Sequence, residues 1–304
     1  MAAVISGGID LGGTKIEARL FDDDMQTLDV RRVPTPRTNF DAFIAALSGE
    51  VRWLEERAGQ PDLPVAVSLP GLIDPETGVA TASNVPMSGR STADALAGVL
   101  GRRLPLVNDC MAFAYSEAHG GAGDGFANVF GLILGTGVGG GLVVNGDFPP
   151  RHAGLAVEIG HLGVSARALA RHGLPLWPCG CGRIGCYENY TSGTGLSRLA
   201  EWAGLTDTDP ARIGASSDPA DQRVMDIWAD LCGEMLYDAQ LLLDPDVIVL
   251  GGGLSNIVGV EDRLAAALDR LKLGTARLPV ISRATFGDSA GARGAALMAK
   301  AGKL

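Results

Sequence analysis

Residues Cys179-Gly180-Cys181-Gly182-Arg183-Ile184-Gly185-Cys186-Tyr187-Glu188 gather three of the chain's five cysteines, and they follow a Glu158-Ile159-Gly160-His161 segment. Thiolates this close, with glycines that let the backbone fold around a centre, predict one borderline-soft cation, most simply a tetrahedral zinc held by three sulfurs and one imidazole. Three cysteines cannot all pair with one another, and Cys179 and Cys181 are too near in sequence for an easy disulfide. Nothing at the N-terminus reads as a signal peptide, so the expected setting is the reducing cytoplasm. The predicted metal set is Cys179, Cys181, Cys186 and one histidine, with both His161 and His172 in reach. Glu158 and Glu188 flank these ligands, so a structural metal would fix two carboxylates near a binding site. Cys110 and Cys232 read as small buried core residues.

Two glycine turns offer a second chemistry. Asp10-Leu11-Gly12-Gly13-Thr14-Lys15 and Gly135-Thr136-Gly137 each follow an apolar run and lead into another. Glycine lets backbone N–H groups approach an anion closely, threonine adds a hydroxyl, and Lys15 adds a charge. Facing each other, such turns would grip the β- and γ-phosphates of a nucleotide. Neither has the P-loop spacing, and neither is the dinucleotide fingerprint, because Lys15 leads into a strand. Asp109, at the end of a predicted strand and preceded by Asn108, is the candidate general base for a hydroxyl attacking phosphorus. Its alternative role is to cap a helix starting near Met111. Asp10 would orient magnesium through water or cap its own turn.

The elements that carry these residues alternate strand and helix, which predicts an α/β architecture. Strands are expected at 3–11 (broken by Gly7 and Gly8), 16–21, 65–69, 105–107, 129–134, 142–145 and 246–250. Helices are expected at 40–58, 91–101, 111–119, 222–243 and 291–299, with Gly251-Gly252-Gly253 turning into a further helix. The repeated strand, glycine-threonine turn, strand unit predicts a duplicated core of two domains around a central cleft. Residues 1–118, joined by a C-terminal helix at 290–304, form the expected small domain, and 119–289 the large one. With 304 residues, 46% hydrophobic and 20% charged, the chain fits a soluble globular protein. The net charge of −10 argues against nonspecific nucleic-acid binding, and no apolar run is long enough for a membrane span.

GIDLGGTK (8–15), ND (108–109), LGTGVGGG (134–141), EIGH (158–161), CGCGRIGCYEN (179–189) and DPDVIVLGGG (244–253) occur in the order found in the ROK family of sugar kinases and repressors. The chain resembles that family over essentially its whole length. The glycine turns are shared with the wider actin-like and hexokinase-like ATPase fold. By this resemblance Gly8, Ile9, Asp10, Leu11, Gly12, Gly13, Thr14 and Lys15 would hold ATP phosphates, with Mg²⁺. Thr136, Gly137, Val138, Gly139, Gly140, Gly141, Leu142, Val143 and Val144 would form the second phosphate segment, and Gly252 and Gly253 would lie near adenosine. Asp109 would be the base, and Asn84, Asn108, Glu158, His161 and Glu188 would bind sugar hydroxyls. His161 would then serve sugar and zinc through different ring nitrogens, which favours it over His172.

The family's repressors carry a DNA-reading domain before the first phosphate turn, which here begins at residue 8, so no nucleic acid is expected as partner. RVPTPR (32–37), SNVPMSGR (83–90) and GGGLSN (251–256) are most similar to the family's kinases for N-acetyl-D-glucosamine, implying transfer of a phosphoryl group from ATP to a hexose 6-hydroxyl. Fructokinases, mannokinases and glucokinases of the family share several of these segments, and a non-catalytic sugar sensor is the reading from another class. Homodimers are common in the family. Val157 stands where relatives often have glycine and is expected to crowd or re-aim Glu158; Phe286 replaces a frequent histidine.

Overall fold

The computed structural model describes residues 4–82 and 84–302. Ala3 of the expected first strand, Ser83, and residues 303–304 of the expected closing helix lie outside the described residues. The chain divides into two compact units. Unit 1 comprises Met1–Ser116, Phe148–Ala156 and Asp288–Leu304; unit 2 comprises Glu117–Asp147 and Val157–Gly287. Phe148–Ala156, expected in the large domain, belongs to unit 1. The Phe148 ring lies 5.2 Å from that of Tyr115, and a β-carbon at Gly154 would be 2.5 Å from the Ile73 carbonyl oxygen.

Unit 1 is built on five strands in the order β3-β2-β1-β4-β7. β1 (Val4–Leu11) turns back into antiparallel β2 (Lys15–Asp22), which pairs with β3 (Thr27–Pro34). α1 (Phe40–Ala58) follows, then β4 (Val65–Leu69), the short β5 (Leu72–Ile73) and β6 (Ala80–Thr81), α2 (Thr92–Leu100), β7 (Leu106–Asn108) and α3 (Asp109–Ala118). β4 is parallel to β1, and β7 to β4. β1 is continuous through Gly7 and Gly8, where a break was expected. These glycines make room for packing: a β-carbon at Gly8 would sit 1.8 Å from the Ala292 carbonyl oxygen, on the C-terminal helix Ala290–Lys300. β3 was not anticipated because it is a largely exposed edge strand carrying Arg31 and Arg32, with little apolar alternation. α1 has a complete grammar of start, stripe and stop. Asn39 accepts the Ala42 N–H, Phe43, Leu47, Val51 and Leu54 line the buried face, and Gly59 closes the helix at φ 64°.

Unit 2 repeats the plan with four strands in the order β11-β10-β8-β9. β8 (Asn128–Leu134) and β9 (Val138–Val144) form the antiparallel hairpin, β10 (Val247–Gly251) lies parallel to β8, and β11 (Val280–Arg283) parallel to β10. β9 starts at Val138, not at Leu142, so Gly139, Gly140 and Gly141 belong to the strand. Packing again explains a glycine, because a β-carbon at Gly140 would lie 2.5 Å from the Phe130 ring. The helices are α4 (Ala166–His172), α5 (Glu188–Thr191), α6 (Gly193–Trp202), α7 (Pro210–Ala215), α8 (Pro219–Leu243) and α9 (Val260–Asp269). α8 begins at the Asp218 cap with Pro219 in its first turn, and buries Trp228, Leu231, Met235 and Leu236 in the core. After Gly252 the chain makes a 3-10 turn, Gly253–Asn256, and α9 starts only at Val260. No helix among the described residues is long and apolar enough to cross a membrane.

Candidate active site

A peptide plane is rigid, and its carbonyl and the following N–H point in opposite directions. Tying back a turn's carbonyls therefore aims its amides the other way, and both glycine turns are tied. In unit 1 the Thr35 hydroxyl donates to the Gly12 carbonyl (2.7 Å) and the Thr35 N–H to the Thr14 carbonyl (3.1 Å). The amides of Gly13 and Lys15 are thereby turned to the opposite side. In unit 2 the Gly193 N–H donates to the Gly135 carbonyl (2.7 Å) and the Thr194 hydroxyl to the Thr136 carbonyl (2.9 Å). Each arrangement forms a concavity of oriented N–H dipoles suited to an anion.

Most residues of the two segments expected to hold phosphates are committed to the fold. Ile9 and Leu11 are core side chains, and Gly8 is spent on packing. In the second segment the Gly140 N–H donates to the Val157 carbonyl (3.0 Å) and the Val144 N–H to the Asp147 carbonyl (2.7 Å). Gly139, Gly141, Leu142 and Val143 pair with β8. Residues inside a sheet have committed their backbone groups, and within the turns the Gly12 N–H donates to the Lys15 carbonyl (2.9 Å) and the Gly135 N–H to the Gly137 carbonyl (3.0 Å), which leaves the Gly13, Thr14, Thr136 and Gly137 amides as the candidates for an anion. Lys15 is half-exposed beside the buried Glu17 (3.5 Å), which also takes Arg19 and Arg32. Asn84 lies against the first turn, its amide nitrogen 2.9 Å from where a Gly13 β-carbon would be.

Two carboxylates of unit 1, one at the entry to the first turn, lie near each other. Asp10, near the end of β1, accepts the Ser68 hydroxyl (3.0 Å) and faces Gly291, where a β-carbon would be 2.6 Å from its carboxylate. Burial, with smaller contributions from the charges of Asp109 and Glu17, pushes its pKa up to about 6 despite the Ser68 hydrogen bond. Asp109 is also raised, again chiefly by burial, with hydrogen bonds from Cys110 opposing the shift. It does not merely precede a helix at Met111, because α3 starts at Asp109 itself. Asn108 does the capping: its Oδ1 accepts the N–H groups of Cys110 (2.9 Å) and Met111 (3.3 Å), while its amide donates to the Gly71 carbonyl (3.0 Å). Asp109 Oδ1 shares the Cys110 N–H (2.9 Å). Asn108 thus spends most of its polar capacity on the fold.

The cysteine segment folds as a tight hairpin in unit 2. Cys179 N–H donates to the Arg183 carbonyl (2.8 Å), Gly185 N–H to the Trp177 carbonyl (2.8 Å), and Val164 N–H to the Gly185 carbonyl (2.7 Å). Gly182 and Gly185 take φ of 86° and 73°, which only glycine adopts without strain. The hairpin brings one donor atom each from His161, Cys179, Cys181 and Cys186 within 4.8 Å of one another. His161 Nδ1 is 3.7 Å from Cys179 Sγ, and Cys181 Sγ is 3.6 Å from Cys186 Sγ. Sulfurs about 2.3 Å from a tetrahedral centre stand at this separation, so the donor set fits zinc. Burial, reinforced by the neighbouring thiols, pushes Cys186 up to about 12, a penalty that a divalent cation among these donors would reverse. His172 is elsewhere engaged, with its Nε2 2.8 Å from Asp230 Oδ2.

The hairpin delivers Glu188 to the second turn. Tyr187 N–H donates to the Leu162 carbonyl (3.0 Å), the Tyr187 hydroxyl to Asp238 on α8 (2.9 Å), and Trp228 Nε1 of α8 to the Thr191 carbonyl (2.9 Å). Held this way, Glu188 Oε2 accepts the Val138 N–H (3.1 Å) and lies 2.6 Å from where a Gly137 β-carbon would be. Glu158 precedes the 3-10 turn Ile159–His161, whose last N–H returns to its carbonyl (3.0 Å). Val157 pairs through its backbone with Gly140 and packs its side chain on the core. Its extra bulk therefore goes into the core, where crowding of Glu158 had been expected.

Beside the second turn is a cavity of about 650 Å³ lined by Gly135, Thr136, Thr194, Ser197, Pro210, Gly253 and Ile257, among others. It is mostly apolar with a few polar groups, the lining expected around a planar heterocycle. Gly253 lines it, whereas Gly252 packs on the end of β8, where a β-carbon would be 2.5 Å from the Leu134 carbonyl. Thr35, Ser68 and Thr194 were not singled out from the sequence for these positions; their only signal is a hydroxyl residue near a glycine turn in space.

The ROK family profile matches residues 6–302. The chain is 41% identical to the N-acetylgalactosamine kinase AgaK of Shewanella sp. (strain ANA-3) over 295 residues, covering 96% of this chain and 95% of that protein. It is 40% identical to the N-acetyl-D-glucosamine kinase of Escherichia fergusonii over 297 residues, covering 96% and 98%. Among solved structures it is similar to a ROK family glucokinase from Streptomyces griseus in complex with glucose and AMPPNP, at 28% identity and a TM-score of 0.78 over 98% and 99% of the two chains. A family match over nearly the whole length, relatives at about 40% identity and the hairpin-centred fold agree: the chain belongs to the ROK family.

Proposed function

We propose that this protein is an ATP-dependent sugar kinase that phosphorylates the 6-hydroxyl of N-acetyl-D-glucosamine. The observation that carries the reading is Asp109, a partly buried carboxylate at the start of α3 with a raised pKa, near Asp10 of the first turn, while Asn108 takes most of the helix capping. A carboxylate so placed accepts the proton of the sugar hydroxyl as its oxygen attacks the γ-phosphorus and the bond to the β-phosphate oxygen breaks. The turns Gly12–Lys15 and Gly135–Gly137 hold the phosphates through oriented amides, and the apolar cavity by Gly253 takes the adenine. Asn84, Asn108, Glu158, His161 and Glu188 bind sugar hydroxyls. Asp10 would help hold a Mg²⁺ ion, which would supply neutralisation of phosphoryl charge. His161 Nδ1, Cys179, Cys181 and Cys186 hold a structural zinc that braces the segments bearing Glu158 and Glu188. The thiolate set and the use of ATP fit a reducing, cytoplasmic setting.

The sugar class rests on the relatives, both kinases of 2-acetamido hexoses. N-Acetylgalactosamine, the substrate named for the relative at 41% identity, is the second reading. ADP release, coupled to a reporter enzyme, is measured with N-acetylglucosamine, N-acetylgalactosamine, N-acetylmannosamine, glucose, mannose and fructose. The highest kcat/KM is expected with N-acetylglucosamine. A preference for an unsubstituted hexose would overturn the substrate, and silence with every sugar would overturn the kinase.

A further inference from the structure

Three contacts bind the segment from Glu188 to Thr194 to the second glycine turn, and they meet it at successive peptide units. Gly193 N–H holds the Gly135 carbonyl, the Thr194 hydroxyl holds the Thr136 carbonyl (2.9 Å), and Glu188 Oε2 holds the Val138 N–H (3.1 Å). The segment is itself braced. The Ser192 hydroxyl donates to the Glu188 carbonyl (2.6 Å), and α8 fixes its base through Trp228 and Tyr187. Thr194 also lines the apolar cavity beside the turn.

The geometry has a directional consequence. With the Thr136 carbonyl pinned by Thr194, the rigid peptide turns the Gly137 N–H to the other side, and the next amide, that of Val138, is already taken by Glu188. A carboxylate that contacts sugar and a hydroxyl that lines the nucleotide cavity thus control adjacent peptides of one turn. We propose that Thr194 is a positioning residue for the nucleotide phosphates, and that the Glu188–Thr194 bridge makes sugar and nucleotide binding mutually reinforcing. This inference rests on the kinase reading of the same site. Sugar that immobilises Glu188 fixes the exit of the turn before the phosphates arrive. By linkage, the nucleotide tightens sugar by the same factor.

Couplings of this kind amount to about 5–150-fold in affinity, and one hydrogen bond accounts for roughly 3–10-fold of such a factor. Calorimetric titration of Mg-AMPPNP with and without saturating N-acetylglucosamine, and the reverse titration, test this on the whole chain. In the wild type each ligand should tighten the other by about 5-fold or more. Thr194→Val should lose about 3–10-fold of that enhancement, with KM for ATP raised at saturating sugar more than kcat is lowered. Thr194→Ser, which keeps the hydroxyl, should restore it. Thr194 is exposed, so both variants should melt with the wild type, and a purely structural role would move the melting point rather than the enhancement. An enhancement unchanged in Thr194→Val, or absent from an active wild type, would overturn the proposal. A wild type that turns over no sugar would instead remove the kinase reading beneath it.

Discussion

The first glycine turn is held by the end of an edge strand, through Thr35, and the second by the first turn of α6, through Gly193 and Thr194. The two units share the same order of strands, a hairpin followed by two parallel neighbours, and each ties its turn's carbonyls from behind. Their surroundings differ. The first turn carries Lys15 and follows Asp10, which lies near Asp109, both partly buried carboxylates raised by desolvation. The second has no charged residue of its own and is surrounded by hydrogen bonds and an apolar cavity. Under the proposed function, one hairpin plan would serve proton and phosphoryl chemistry in unit 1 and hold ligands in place in unit 2. Burying acids costs stability, and fixing a turn with hydroxyls and amides does not.

Asp109→Asn strikes unit 1 where the comparison is sharpest. It should lower kcat by about 10²–10⁴-fold while sugar binding, followed by calorimetry, persists. Near-normal turnover would move the base elsewhere. Cys181→Ser tests unit 2 as a holder. Loss of one ligand should weaken metal binding by more than about 100-fold, read by metal analysis after dialysis, with sugar affinity falling in parallel. Tight sugar binding by the metal-free variant would detach the cysteine hairpin from the sugar residues.

Asp10→Asn probes the cost of a buried acid. The folded-state pKa of about 6 lies above the ordinary 3.8, so the folded protein holds this proton more tightly than the unfolded chain does. Stability from this group is complete below about pH 4 and is lost as pH rises through 6. A shift of about 2 units corresponds to roughly 3 kcal/mol. The variant should therefore be about 3 kcal/mol more stable than wild type at pH 8 and nearly equal to it at pH 4, in paired urea titrations, at the expense of activity. Equal stability at both pH values would mean that Asp10 is not desolvated. The smallest effect is expected from Thr35→Val, which leaves the Gly12 carbonyl without its hydroxyl. Thermal melts should show a loss of about 1–3 kcal/mol, and KM for ATP should rise without change in the sugar-nucleotide enhancement. A change in that enhancement would mean that both turns are coupled to sugar.

Much of this was legible from local patterns. The α1 span, with Asn39 before it and Gly59 after it, and the β4 span follow from caps and apolar periodicity, which depend on near neighbours in sequence. The cysteine spacing specified the three sulfur donors because they lie on one hairpin. β3 escaped notice because an exposed edge strand lacks an apolar signal, and β9 because glycines that clear a buried ring look the same in sequence as glycines in a loop.

The sequence by itself determined the kinds of chemistry present: three thiolates with a histidine, two glycine-threonine turns, and an acid at the end of a strand. All of these follow from residue types at short spacing. Only the tertiary structure decided which histidine joins the cysteines, which residue caps α3, and which hydroxyls tie back the turns. His161 reaches the sulfurs while His172 is drawn to Asp230, Asn108 takes the Cys110 and Met111 amides with Asp109 sharing only the first, and Thr35 and Thr194 arrive from distant strands and helices. The physical reason is the range of the interaction. Backbone conformation is set by neighbours along the chain, whereas a hydrogen bond or a desolvated charge is set by neighbours in space.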